Sequence, residues 1–134
     1  MGTLSNIPPH AVLPLEAYDR DALARAGERA DQRLLRVDCS GATDKRAVLA
    51  AIAKAFALPK HFGHNLDALY DCITDLQPAP EADQPGFVII LENLPAQGKA
   101  GFDRDVLLDV FRDAADFFFD RGMAFRVFYS VTGR

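Results

Sequence analysis

Asp67, Asp71 and Asp75 recur at every fourth position, and no lysine or arginine stands between Lys60 and Lys99 to neutralise them. On a helix this spacing stacks the carboxylates along one face. Each adjacent pair then repels, at a cost of about 0.2–0.5 kcal/mol. The helix dipole favours Asp67 in a first turn but does nothing for Asp71 or Asp75. Any one of these aspartates, taken singly, reads as an ordinary solvated acid. The row as a whole suits a cationic partner, and Glu81, Asp83 and Glu92 add to the same acidic stretch.

Other residues with chemical potential point less far. His61, His64, Asp67 and Asp71 suggest a metal site or a His/Asp nuclease centre, but on a helix Asp71 faces away from His64, and no HExxH pair occurs. Cys39 and Cys72 are too few and too far apart for a CxxC zinc or redox motif, so two free thiols are expected. Cys72 has no basic neighbour in sequence to lower its pKa, which favours a packing role over a nucleophilic one. No catalytic residue, metal or cofactor is therefore expected.

Charge and length bound the remaining classes. A formal net charge of -4 and a pI near 5.2 oppose nonspecific binding to nucleic acid, which needs cations to displace counterions from phosphates. A basic protein is the more natural partner. No apolar run approaches the roughly 20 residues of a membrane span, and Met1–His10 lacks the pattern of a signal peptide, so a cytoplasmic location is expected. With 134 residues, 49% of them apolar, the chain suits one globular core.

The elements that must position the acidic row can be read from periodicity and breakers. Met1–Pro9 reads as a mobile arm, followed by a short apolar piece around Val12, Leu13 and Leu15 and a helix from Asp19 or Asp21 to Ala30, despite Gly27. Arg33–Asp38 reads as a strand. Ser40–Asp44 supplies turn and capping residues before a helix in which Val48, Leu49, Ile52, Ala55 and Phe56 recur at helical spacing ahead of Pro59. Asn65 caps the acidic helix, which runs to about Leu76 and buries Leu66, Leu69, Tyr70, Ile73 and Leu76, with Tyr70 and Thr74 on the border between its faces. Phe87–Leu91 is continuously apolar, as in a strand covered on both faces. A long helix spans about Phe102–Arg121, with Leu107, Val110, Phe111, Ala114 and Phe118 as its apolar stripe. Asp109, Asp113, Asp116 and Asp120 lie off that stripe, with Arg112 and Arg121 as local compensation and Phe119 as a ring open to solvent. Phe125–Val131 is a third strand. Helical crossovers between strands imply a parallel sheet. The expected fold is α/β: a three-stranded parallel sheet with about four helices over 33–134, preceded by an N-terminal extension over 1–32.

One segment is more specific than any of these patterns. Ala57-Leu-Pro-Lys-His-Phe-Gly-His-Asn-Leu-Asp-Ala-Leu-Tyr-Asp-Cys-Ile-Thr-Asp75 resembles the barstar family's run of Leu-Pro, two aromatics, Gly, a variable residue, then Asn-Leu-Asp-Ala-Leu-aromatic-Asp-Cys-Leu/Ile-Thr. Val110-Phe-Arg-Asp113 resembles the family's Val-Phe-Arg-Glu on the last helix, and the element order agrees from about Arg33 to Val131. The resemblance implies an intracellular inhibitor of a basic, secreted or toxin-type ribonuclease, itself no enzyme and expected to be a monomer when free.

The resemblance also implies site residues. Asp67 and Asp71 match the two family aspartates on the helix that enters the enzyme's cleft, and Asp113 stands where a contacting glutamate would, one methylene shorter. Gly63 and Asn65 retain the preceding loop, and His61 takes the place of a contacting tyrosine. Tyr70 replaces a tryptophan, Leu76 another aromatic, and Asp75 a small residue, beside Thr74, which is retained. These departures imply a cognate nuclease related to the family's usual partner rather than identical with it. An adaptor binding some other basic protein on the same scaffold is the alternative.

Overall fold

A computed structural model describes residues 7–59, 65–79, 85–98 and 101–131. Chain order runs through β1 (His10–Pro14), a 3-10 turn (Leu15–Ala17), α1 (Arg20–Arg29), β2 (Arg33–Asp38), α2 (Lys45–Phe56), α3 (Leu66–Thr74), β3 (Gly86–Leu94), α4 (Arg104–Phe119) and β4 (Ala124–Val131). Each α-helix begins at an Asp or Asn that accepts a hydrogen bond from a backbone N–H inside the first turn: Asp19 from Asp21 and Ala22, Asp44 from Ala47, Asn65 from Ala68 and Asp103 from Val106. Such caps satisfy donors that a helix start would otherwise leave open.

The sheet is parallel, in the order β1-β4-β3-β2. It therefore has four strands where three were expected, and the additional edge strand comes from the short apolar piece around Val12 and Leu13 that follows the expected arm. His10–Pro14 pairs in register with Phe125–Tyr129. A five-residue, half-buried edge strand that ends on a proline shows no alternation to detect, and Pro is tolerated there because an edge leaves N–H groups unpaired. Nor is the approach to β1 a mobile arm from Ile7 onward: Ile7 is buried, and the Pro9 carbonyl accepts from Phe125 N–H at 2.7 Å.

From β1 the chain crosses the whole sheet through α1 to reach β2, then steps back through β3 to β4. Right-handed crossovers running in opposite directions must lie on opposite faces. Two apolar clusters follow from this. Leu35 and Val37, Phe87, Ile89 and Leu91, and Phe125 and Val127 point to α2, α3 and α4, where Leu49, Ile52, Leu69, Ile73, Phe111 and Phe118 complete the main core. Val88, Ile90 and Phe128 point the other way, to Ile7, Leu15, Leu23 and Ala26. Alternate β3 side chains thus enter both clusters, which is why Phe87–Leu91 is apolar at every position.

Gly27, the weak point of α1 by helix propensity, sits where that helix meets β3: a Cβ there would lie 3.2 Å from Val88 Cγ2. Among the described residues no helix is long and apolar enough to cross a membrane.

Candidate functional site

The acidic helix α3 is anchored by Leu69 and Ile73, both fully buried, with Leu66, Tyr70 and Leu76 packed at the edge of the main core. That anchoring leaves Asp67, Asp71 and Asp75 exposed, because residues two and five positions from a buried stripe turn outward. The neighbouring α4 buries Leu107, Leu108, Phe111, Ala114, Ala115 and Phe118. Where the two helices meet, their exposed flanks form an open cleft of about 630 Å³, lined by Leu66, Asp67, Tyr70 and Asp71 from α3 and by Val110, Asp113, Asp116, Phe117, Asp120 and Arg121 along and just beyond α4.

Five carboxylates share this cleft with one guanidinium. Among the described residues none of the five forms an ion pair. Arg121 is turned to the ring of Phe117 instead, 3.6 Å from its centroid, and its Nη1 donates to the Phe117 carbonyl at 3.1 Å. Arg112, the other expected source of compensation, pairs with Asp109 at 2.7 Å. Tyr70 meets Phe117 edge to face at 6.5 Å, which gives the cleft an aromatic floor. Glu92, part of the same acidic stretch of sequence but outside the cleft, is neutralised: it accepts from Arg20 at 2.6 Å and lies 3.6 Å from Arg36.

The structure brings together Asp67, Asp71, Tyr70 and Asp113 from the candidates read in the sequence. Asp75 forms the C-terminal end of α3 and does not line the cleft. Thr74 Oγ1 donates back to the Tyr70 carbonyl at 2.9 Å and lies 3.1 Å from that of Asp71, so its proton is held by its own helix. Asn65 is the cap, its Oδ1 accepting from Ala68 N–H at 2.7 Å. His61 and Gly63 lie outside the described residues.

Asp116 and Asp120 were legible only as residues off the α4 stripe. Their spacing from Asp113, i+3 and i+7, was the available signal that all three share one line on the helix.

Cys72, beside the row, has its thiol pKa raised by burial first and then by the charges of Asp75 and Asp71. That is the opposite of what a nucleophilic thiol needs. The cleft therefore offers a fixed field of negative charge over an aromatic floor, chemistry suited to receiving cationic side chains.

A family model described as Barstar (barnase inhibitor) matches residues 32–130, a span that contains both helices of the cleft. No curated protein matches the chain.

Proposed function

The chain belongs to the barstar family, and on that premise we propose that it is a cytoplasmic protein inhibitor of a basic, secreted or toxin-type ribonuclease, acting by occlusion rather than catalysis. The observation that carries this reading is the cleft between α3 and α4, where Asp67, Asp71, Asp113, Asp116 and Asp120 lie without an ion-pair partner among the described residues. A ribonuclease holds its substrate's phosphates with Arg, Lys and His. Carboxylates set at helical intervals imitate that phosphate backbone.

In this reading α3 enters the enzyme's cleft and Asp71 pairs with the active-site cations. Asp67 and Asp113 flank it from the two helices, while Asp75 lengthens the row toward the end of α3. Tyr70 supplies an aromatic surface within the cleft, and His61, Gly63 and Asn65 with Thr74 complete the contact from the loop and the helix border. Electrostatic complementarity of this kind speeds association and selects the partner, and a few desolvated pairs add affinity. The cognate enzyme is then a relative of barnase whose cleft is at least as basic.

The substitutions at His61, Tyr70 and Leu76 sustain a second reading, an adaptor for another basic protein, because aromatic anchors carry much of an interface's energy.

The test is titration of a barnase-type ribonuclease with the full chain at low and moderate salt, beside Asp71→Ala. Stoichiometric, salt-sensitive inhibition is expected, weakened by about 2–5 kcal/mol in the variant, a general range for a truncated buried charge pair to which barnase–barstar itself contributes. Absence of inhibition across a set of barnase-like enzymes moves the assignment to the adaptor.

A further inference from the structure

The amino-terminal end of the sheet carries a second polar feature that the acidic cleft does not use. Arg126 points from β4 to the α1 side and is only 7% exposed. Its Nε and Nη2 donate to the Ile7 carbonyl at 3.3 and 3.1 Å, and its Nη1 donates to Gln32 Oε1 at 3.5 Å. A guanidinium has five N–H groups, so those bonds leave two without a partner among the described residues. No carboxylate among them lies within ion-pair distance of it. Burial lowers the Arg126 pKa, as it does for a charge held away from water with no counter-charge among the described residues. An unpaired buried charge is costly, and a fold ordinarily provides a partner for it.

The same side chain lines a pocket of about 350 Å³ at the start of β4, walled by Pro9, Pro85, Phe119 and Met123. Phe119 is a large apolar residue left 47% exposed. This pocket shares no lining residue with the acidic cleft.

We propose that the pocket binds a carboxylate carried on an apolar group, with the carboxylate on the open edge of Arg126 and the apolar group against Phe119 and the prolines. A planar guanidinium matches a carboxylate through parallel hydrogen bonds. Among the described residues Arg126 is the one charged side chain in this lining, beside the polar Gln32, so it neutralises a monoanion, whereas a phosphate dianion would remain half uncompensated. Such a ligand comes either as a free small acid or as the C-terminal end of a peptide, and both present the same chemistry to Arg126.

Amide-resolved NMR titration of the full chain separates the outcomes, with benzoate, its neutral counterpart benzamide, and acetyl-Ala-Phe as probes at constant ionic strength. Saturable shifts at Phe119, Met123 and Arg126 with benzoate, at least tenfold weaker with benzamide, are expected. Tighter binding of acetyl-Ala-Phe assigns the site to peptide C-termini; tighter binding of benzoate assigns it to free acids. Arg126→Gln should lower benzoate affinity at least tenfold. Should that variant not fold, Phe119→Ala removes an exposed ring and should lower affinity several-fold. Equal binding of benzamide, an unchanged affinity in Phe119→Ala, or no saturable shift with either acid overturns the proposal.

Discussion

Replacing Asp71 by Asn should make the free protein more stable while making it a poorer inhibitor. Asp71 has a like charge one turn before it, Asp67, and one turn after it, Asp75, and all three are exposed on α3. Each such pair costs about 0.2–0.5 kcal/mol, so removing the central charge relieves about 0.4–1 kcal/mol. Asp113, Asp116 and Asp120 across the cleft add to this with the same sign. Asn matches Asp in shape and nearly in helix propensity, so little else changes. The Thr74 hydroxyl bonds to backbone carbonyls rather than to the Asp71 carboxylate, and it is undisturbed. For a chain of this length the gain corresponds to a rise in Tm of about 1–4 °C.

Thermal unfolding in about 0.02 M and about 1 M salt measures it, because the screening length falls from over 20 Å to about 3 Å, shorter than one helical turn. Most of the gain should vanish at the higher salt. An unchanged or lower Tm at low salt, or a gain undiminished at high salt, would refute the idea that the row is held at a cost in the free protein. The paired inhibition assay should move the other way, by about 2–5 kcal/mol.

Three further expectations concern the scaffold. Gly86→Ala places a Cβ 2.8 Å from the Ala124 carbonyl oxygen and 2.9 Å from its Cβ, so β3 and β4 must separate at their start; urea unfolding should show a loss of about 1–3 kcal/mol. Ala57 ends α2 in the left-handed region at φ 53°, with Leu58 N–H bonded to the Ala53 carbonyl at 2.9 Å. Ala57→Gly should therefore stabilise by about 0.5–1 kcal/mol in the same assay, the relief of Cβ crowding exceeding the added freedom of the unfolded chain. The Asp38 carboxyl is held down to about 2 by the Ser40 hydroxyl first, then by the Ser40 N–H and the Asn93 amide. Its contribution is full above the ordinary carboxylate value of about 3.9 and is lost as pH falls through about 2. Unfolding measured from pH 6 to pH 2 should show Asp38→Asn less stable than wild type at the upper end and converging with it at the lower; a constant difference throughout would exclude the linkage.

What the sequence determined by itself is what depends on neighbours within one turn or one strand. The face of α3 that carries Asp67 and Asp71, the Asn65 cap, a capping residue within Ser40–Asp44, and Arg33–Asp38 as a strand all follow from such local rules, and the structure has each of them. The long helix was read about two residues too far at each end, since its cap is Asp103 and its last helical residue is Phe119.

Packing between distant segments decided the rest. His10–Pro14 is a strand only because β4 offers it an edge, and Arg126, a charged residue inside β4, is buried only because Ile7 and α1 close over that face. The candidate site has the same origin. Asp67, Asp71 and Asp75 were visible as one row, and Asp109, Asp113, Asp116 and Asp120 as acids off the α4 stripe, but the charges on one helix carry no record of which helix will lie beside it. Burial of Leu69 and Ile73 with Phe111 and Phe118 in one core brings Asp67 and Asp71 to the same cleft as Asp113, Asp116 and Asp120, because only the apolar stripes set how the helices are turned.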